Sequence, residues 1–416
     1  MRYSNLFPKT QRSAPAEYDL ESAQLLYRAG FVDQLMAGVF SLLPLGWRTF
    51  EKIKQVIREE MNAIGGQELL MPTLQPKELW DKTGRWESLT KGDIMYHLRD
   101  RSDRPIGLSL THEETALDLI RKRSSSYKDY PISIYHFSTK FREEARPRGG
   151  LLRVREFVMK DLYSAHTTEE DFEQYYEVVK SAYAKIFKRL GLDVRVVEAS
   201  GGVFTPNHSH EFQVFTEVGE DTIYYCEKCD FAQNKEIAEV QEGDKCPKCG
   251  GRILVSKAVE VGNIFPFGTK YSKDIGVAFT DQDGQEKAPY FGSYGIGLGR
   301  VLATIAEVSR DEKGLIWPES VAPFEVHLVG LDLNDVKVRD EVEMLYRKLQ
   351  EKSVEVLFDD RDIRAGEKFA DADLLGIPLR VVISAKSGAG GGVEVKGRSK
   401  EDSEIVSVDQ LLSQVA

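Results

Sequence analysis

Phe141-Arg142-Glu143-Glu144-Ala145-Arg146-Pro147-Arg148-Gly149-Gly150-Leu151-Leu152-Arg153-Val154-Arg155-Glu156-Phe157 is the stretch that decides the fold. Residues 132–144 read as an extended run, Arg-Pro-Arg-Gly-Gly is turn chemistry, and 151–159 is extended again, so a β-hairpin is expected. Side chains alternate along a strand, which puts Arg142 and Glu144 on one face and groups Arg153, Arg155 and Phe157 likewise. Fixed cations, one acceptor and one flat aromatic ring on a sheet face suit a nucleoside triphosphate. Guanidinium groups hold phosphates bidentately and neutralise charge growing on an α-phosphate under attack. Phe157 is placed to stack on adenine, and Glu144 to accept from its amino group.

About 130 residues on comes Phe291-Gly292-Ser293-Tyr294-Gly295-Ile296-Gly297-Leu298-Gly299-Arg300, a glycine-alternating run that opens a helix. Alone, such a run reads as tight strand–helix packing. Arg300 argues for more, because a cation is poorly placed at a positive helix start unless an anion lies nearby. Together the stretches resemble motifs 2 and 3 of the class II aminoacyl-tRNA synthetases: Arg142-x-Glu144 with Arg153-x-x-x-Phe157, and Gly295-x-Gly297-x-Gly299-Arg300. The wording is most similar to the prolyl-tRNA synthetases. Supporting segments are Thr111-His112-Glu113-Glu114, Glu156 to Asp161, Ser209-His210-Glu211-Phe212, Gly262 to Phe265 and Gly268 to Tyr271.

The resemblance implies an α/β (α+β) chain: an antiparallel-sheet catalytic domain over 1–322 and an α/β anticodon-binding domain over 323–416. It implies a ligase that joins L-proline to tRNA(Pro) through prolyl-adenylate, with ATP and Mg2+. Arg142 and Arg300 would be catalytic, and ATP would be held by Arg142, Glu144, Arg153, Phe157, Gly297, Gly299 and Arg300. Proline would be held by Thr111, Glu113, Arg142, His210, Glu211, Phe212 and Ser293, with Thr111 and Glu113 on the imino nitrogen and Arg142 near the carboxylate. The residues leave other readings open. Thr111-x-x-Glu114 before Leu117 and Ile120 fits a capping box, a duty in which Glu113 has no part. His208 and His210 could be metal ligands, but no third ligand stands nearby.

All four cysteines lie in a short insert, about 222–256: Cys226-x-x-Cys229 and Cys246-x-x-Cys249. Two such pairs predict a zinc ribbon, since tetrahedral zinc takes two thiolates from each of two knuckles. Four thiolates leave no open position, so the zinc would be structural. The alternatives are reduced thiols or two disulfides, the latter disfavoured in the cytosol. Bacterial prolyl enzymes commonly carry a large editing domain between motifs 2 and 3, of which this insert keeps at most a stub. Removal of mischarged alanine by this chain is therefore not expected.

The 416 residues suffice for two or three domains. No 18-residue apolar run occurs, and Met1 to Pro15 is polar, so export and membrane insertion are not expected and a cytoplasmic location is. Net charge is −11, and residues 323–416 hold 13 Lys plus Arg against 19 Asp plus Glu, so the tRNA partner rests on the resemblance. Residues 47–63 read as a helix, followed by Gly65-Gly66 and a strand Glu68–Met71. This resembles motif 1, which packs across a dimer axis and implies a homodimer; an ordinary buried helix–strand unit has the same pattern. Phe172, Tyr175, Tyr176, Val179, Tyr183, Ile186, Phe187 and Leu190 recur at helical spacing, an aromatic stripe expected in the core. In the tail, strands at 325–329, 354–358 and 379–383 alternate with helices around 338–349 and 367–375, which predicts a parallel or mixed sheet. Asp359 to Asp362 through Gly376-Ile377-Pro378 resembles the anticodon-binding domain of prolyl enzymes, and Ser387 to Gly392 reads as a glycine-rich loop.

Overall fold

The fold is that of a computed structural model describing residues 1–416 except 93, 203, 204, 206, 207, 387–391 and 416. The expected loop Ser387–Gly392 thus lies outside the described residues save for Gly392. The larger part of the chain is organised by a nine-stranded sheet. Its longest strand, Ile253–Gly268, pairs antiparallel with Tyr290–Gly297, which pairs with Glu156–His166, which pairs with Ile132–Phe141. Ser209–Phe215 and Asp221–Cys226 flank the long strand on its other side.

The expected hairpin forms, with Ile132 opposite Ala165 and Phe141 opposite Glu156. Its second strand starts at Glu156 rather than 151. Gly149 and Gly150 turn the chain at φ 66° and 59°, a left-handed region glycine enters freely. Arg142 N–H still donates to Arg155 O at 2.8 Å, but Arg155 N–H goes to Gly38 O at 2.7 Å, away from the hairpin.

One face of the sheet is closed by the helix Glu169–Arg189, whose Phe172, Tyr176, Val179, Tyr183, Ile186 and Phe187 are buried, so the aromatic stripe is core. Thr168 caps this helix through Asp171 N–H, and acids in its first turn with Lys188 and Arg189 in its last match the helix dipole. The helix expected at 47–63 runs Pro44–Ala63, starting earlier because proline suits a first helical position. The following strand is only Gln67–Glu68, parallel to Ile132–Phe141. Its continuation leaves the ladder: Met71 N–H points to His136 Nδ1 at 3.5 Å, and Pro72 has no N–H.

The tail holds a five-stranded mixed sheet ordered Val356–Asp359, Val326–Gly330, Leu379–Ile383, Val393–Gly397, Glu404–Val406. The first three are mutually parallel and the last two antiparallel. Helices Val336–Glu351 and Ala365–Leu375 make the crossovers. The chain start reaches this sheet, with Arg2 bridging in parallel to Phe358 and pairing with Glu343 at 2.8 Å.

Candidate active site

Strand register builds the site. Gly295 lies opposite Asp161 on one side and Asn263 on the other, and Gly297 lies opposite Met159. Period-2 alternation therefore puts Phe157, Met159 and Asp161 beside Ser293, Gly295 and Gly297, and all six line one cavity of about 240 Å³. Thr111, Glu113, Arg142, Glu144, Arg153, Glu260, Asn263 and Arg300 complete its wall. A wider groove of about 550 Å³ shares Glu144, Arg153, Glu260 and Arg300 with it and runs out to Arg148 and Glu220. The glycines are not there for packing against protein. A Cβ on Gly299 would meet nothing within 4 Å, and one on Gly297 only the Arg300 Cβ at 3.8 Å. Gly297 lines the cavity, and its missing side chain leaves room on the floor.

Three guanidinium groups face this room. Arg142 lies 5.2 Å over the Phe157 ring, and its Nε has no hydrogen-bond partner among the described residues. Burial, and then the neighbouring Arg300, lower its pKa below the usual arginine range. Arg300 is the third residue of the helix Leu298–Val308. Its Nε donates to Leu152 O at 3.0 Å and its Nη1 to the Glu260 carboxylate at 3.2 Å. Arg153 donates to Glu144 and to Glu220, both at 2.8 Å. Arg155, expected on the same face, is turned away: its Nε donates to Glu144 O at 2.9 Å.

At the far end Thr111 Oγ1 donates to the Glu113 carboxylate at 2.7 Å and Ser293 Oγ at 3.0 Å. The helix Glu113–Arg123 follows His112 with no side-chain cap, so the alternative capping box is absent. Glu114 instead accepts from Thr83 and Arg85, and Thr111 is left to serve Glu113.

His210 and Phe212 do not join this group. On the strand Ser209–Phe215 they point to the opposite sheet face. There His210 Nδ1 meets the Tyr176 hydroxyl at 2.8 Å, and Phe212 packs 5.1 Å from Tyr183 and 5.5 Å from Phe187. A strand cannot aim three successive side chains one way, which the expectation for 210–212 overlooked. Glu211 faces the cavity side but stands behind Asn263, accepting from Gln213, Asn234 and Asn263 at 2.9, 3.1 and 3.5 Å. Burial, and then Glu260, push its carboxyl up to about 8. His208 pairs with Glu198 at 2.8 Å and meets no second ligand among the described residues.

Several site residues carry little mark in the sequence. Continuing the Arg153–Phe157 alternation by two steps would have found Met159 and Asp161. Glu260 lies just ahead of the Gly262–Phe265 segment, and no sequence signal ties Arg85 to Glu113. Below the floor, His112, His136 and Asp161 approach within 4.8 Å of one another. They surround the buried Lys140, whose ammonium pairs with Asp161 and donates to His112 Nδ1 at 2.5 Å and Ser138 Oγ at 2.8 Å. A cation already fills that centre. Burial opposes ionisation of Asp161, yet Lys140 and His136 hold its carboxyl well below the usual carboxylate range.

In the insert, Cys226 Sγ lies 3.4 Å from Cys249 Sγ and Cys229 Sγ 3.6 Å from Cys246 Sγ, and all four fall within 4.8 Å. Tetrahedral zinc with Zn–S bonds of about 2.3 Å sets its sulfurs about 3.8 Å apart. The donor set and its spacing fit that ion.

Residues 96–309 match the family model "tRNA synthetase class II core domain (G, H, P, S and T)", and 321–416 match "Anticodon binding domain". A proline–tRNA ligase of Dehalococcoides mccartyi is 35% identical over 100% of this chain and 98% of its own length. That alignment spans 561 positions against 416 residues here, so the relative carries a long stretch without counterpart in this chain. Among solved structures, a Cryptosporidium parvum prolyl-tRNA synthetase complexed with halofuginone and AMPPNP shares the fold at TM-score 0.79 and 18% identity, over 95% of this chain and 75% of that one. A Giardia lamblia prolyl-tRNA synthetase in complex with prolyl-adenylate gives 0.77 and 20%, over 93% and 74%.

Proposed function

This chain belongs to the proline–tRNA ligase family of class II aminoacyl-tRNA synthetases, and we propose that the glycine-floored cavity is where it activates L-proline. The observation that carries this reading is a carboxylate, Glu113, held by two hydroxyls at one end of a cavity whose middle is faced by Arg142. Glu113 would take the secondary ammonium of proline, with Thr111 and Ser293 orienting it. Arg142 would hold the substrate carboxylate against the α-phosphate. The proline carboxylate attacks that phosphorus in line, the bond to the β-phosphate oxygen breaks, and pyrophosphate leaves. The 3′-terminal adenosine hydroxyl of tRNA(Pro) then takes the prolyl group and AMP departs. No side chain forms a covalent bond; position and fixed positive charge supply the rate.

ATP would lie along the strand face with adenine on Phe157, its amino group toward Glu144, and its phosphates toward Arg153 and Arg300, over Gly297 and Gly299. Arg153 and Arg300 would exchange Glu220 and Glu260 for phosphate. The Glu260 carboxylate on this wall would offer a hard oxygen to magnesium, which would supply charge neutralisation at the phosphates. Of the proline residues expected from the sequence, Thr111, Glu113, Arg142 and Ser293 stay in the assignment, Glu211 acts through Asn263, and His210 and Phe212 leave it.

We assign catalysis to 1–322, with the insert at 222–256 folded around one structural zinc on Cys226, Cys229, Cys246 and Cys249. Residues 323–416 would read the anticodon of tRNA(Pro). The long stretch of the relative would correspond to the editing domain, and this chain would not remove mischarged alanine. A homodimer is supported by the exposed apolar Leu35, Met36, Trp47, Leu70 and Leu74 along the 32–76 segment. No helix of the described residues is long and apolar enough to cross a membrane. A cytoplasmic location is supported by four thiols with no disulfide among them. Amino-acid-dependent ATP–pyrophosphate exchange across all twenty substrates tests the whole: proline alone should support exchange, and preference for another amino acid would refute it.

A further inference from the structure

Behind Glu113 sits a second buried charge. Arg85, first residue of the short helix Arg85–Lys91, has a side chain only 8% exposed, and its Nη1 donates to Glu113 Oε2 at 3.2 Å. The same nitrogen donates to Glu114 Oε1 at 3.0 Å, and the Thr83 hydroxyl donates to that oxygen at 2.7 Å. The guanidinium lies 5.2 Å over the Trp80 ring and 5.6 Å over that of Tyr271. Arg85 does not line the cavity, whereas Glu113 does. So caged, Arg85 stands back from the cavity and fixes the carboxylates it holds.

That placement has an electrostatic consequence. Two carboxylates stand side by side, Glu113 and Glu114, with one guanidinium between them. A buried carboxylate stripped of its cation takes up a proton or turns toward water, and in either case loses its grip on an ammonium group. Glu113 has Thr111 and Ser293 as its other donors, and hydroxyls supply direction but no charge. We infer that Arg85 is a positioning residue for amino-acid selection, holding the Glu113 carboxylate in the place where it meets the imino nitrogen of the substrate. This inference rests on the proposed role of Glu113. Burial works against the guanidinium, but Glu114 and Glu113 keep its pKa above the ordinary arginine value, so the cation persists at every working pH.

The test uses the full-length enzyme in pyrophosphate exchange, with KM for proline and for ATP measured separately. Arg85→Gln leaves Glu114 buried without its cation and risks misfolding, so the deciding variant is Arg85→Gln/Glu114→Gln, which removes both charges together. Both variants should raise KM for proline by about tenfold or more and leave KM for ATP within about twofold, the signature of lost selection. A folded double variant with normal KM for proline would overturn the inference, because Arg85 would then serve only to neutralise Glu114. Equal rises for proline and ATP would overturn it too, as general loosening of the site. Glu113→Gln separates this inference from the reading beneath it. If Glu113→Gln leaves KM for proline unchanged, the assigned role of Glu113 is wrong, whatever Arg85 does.

Discussion

Replacing Arg142 by alanine should nearly abolish adenylate formation while leaving the fold intact. The side chain stacks over Phe157 and leaves its Nε without a partner among the described residues. Deletion therefore costs the fold a desolvated cation–π contact of about 2 kcal/mol and the attraction of Glu260, Asp161 and Glu144. It also relieves the unfavourable proximity of Arg300 that helps lower the Arg142 pKa. Catalysis loses more. A unit charge about 4 Å from a developing charge is worth about 4 kcal/mol at an effective dielectric of about 20. Removing one preorganised donor from a transition state typically costs about 3–4 kcal/mol, which is about 10²–10³ in rate. Arg142→Lys should recover little, since an ammonium cannot bridge two oxygens in a plane. Arg300→Ala should lose a comparable rate, less whatever Arg300 gives up in leaving Glu260 and Leu152 O. The assay is proline-dependent pyrophosphate exchange alongside thermal unfolding. Exchange within about threefold of wild type, with unfolding unchanged, would refute the assignment of Arg142.

Glu113→Ala should raise KM for proline steeply and affect KM for ATP much less; equal losses would return Glu113 to a structural role. Cys229→Ser should lose zinc, loosen the insert and retain part of the exchange activity, because the insert is too short to fold around its own core. Elemental analysis finding no zinc in wild-type protein purified without chelator, with four titratable thiols, would exclude the ribbon. Stability should fall as pH drops below about 6.5, because burial lowers His112 to about 2 and His327 to about 4 while the unfolded chain still takes up these protons at about 6.5. Each such histidine adds about 1.4 kcal/mol of destabilisation per pH unit until the folded-state value is reached. Denaturant midpoints at pH 7.5, 6 and 5 check this, His327→Phe should flatten the slope, and a midpoint independent of pH would contradict the burial of neutral imidazoles.

Local spacing carried much of this molecule. The Arg142–Phe157 hairpin, the glycine run entering the Leu298–Val308 helix, the buried face of Glu169–Arg189 and the paired cysteines all depend on neighbours in sequence, where periodicity and turn chemistry act. Thr111 was legible only as a choice between capping a helix and serving a substrate. Tertiary structure removes the capping box and brings Ser293, 180 residues beyond Glu113, to the carboxylate that Thr111 also holds. Arg155 departs from its expected face because Gly38, far away in sequence, takes its N–H and pulls it off the sheet. His210 and Phe212 depart for the opposite reason: motif wording groups them with Glu211, while strand alternation sends them to the far side. Arg85, Glu260 and Lys140 had no sequence signal at all. A buried cation is recognised by the carboxylates it balances, and those lie on other elements, brought near only when the sheet and its helices close.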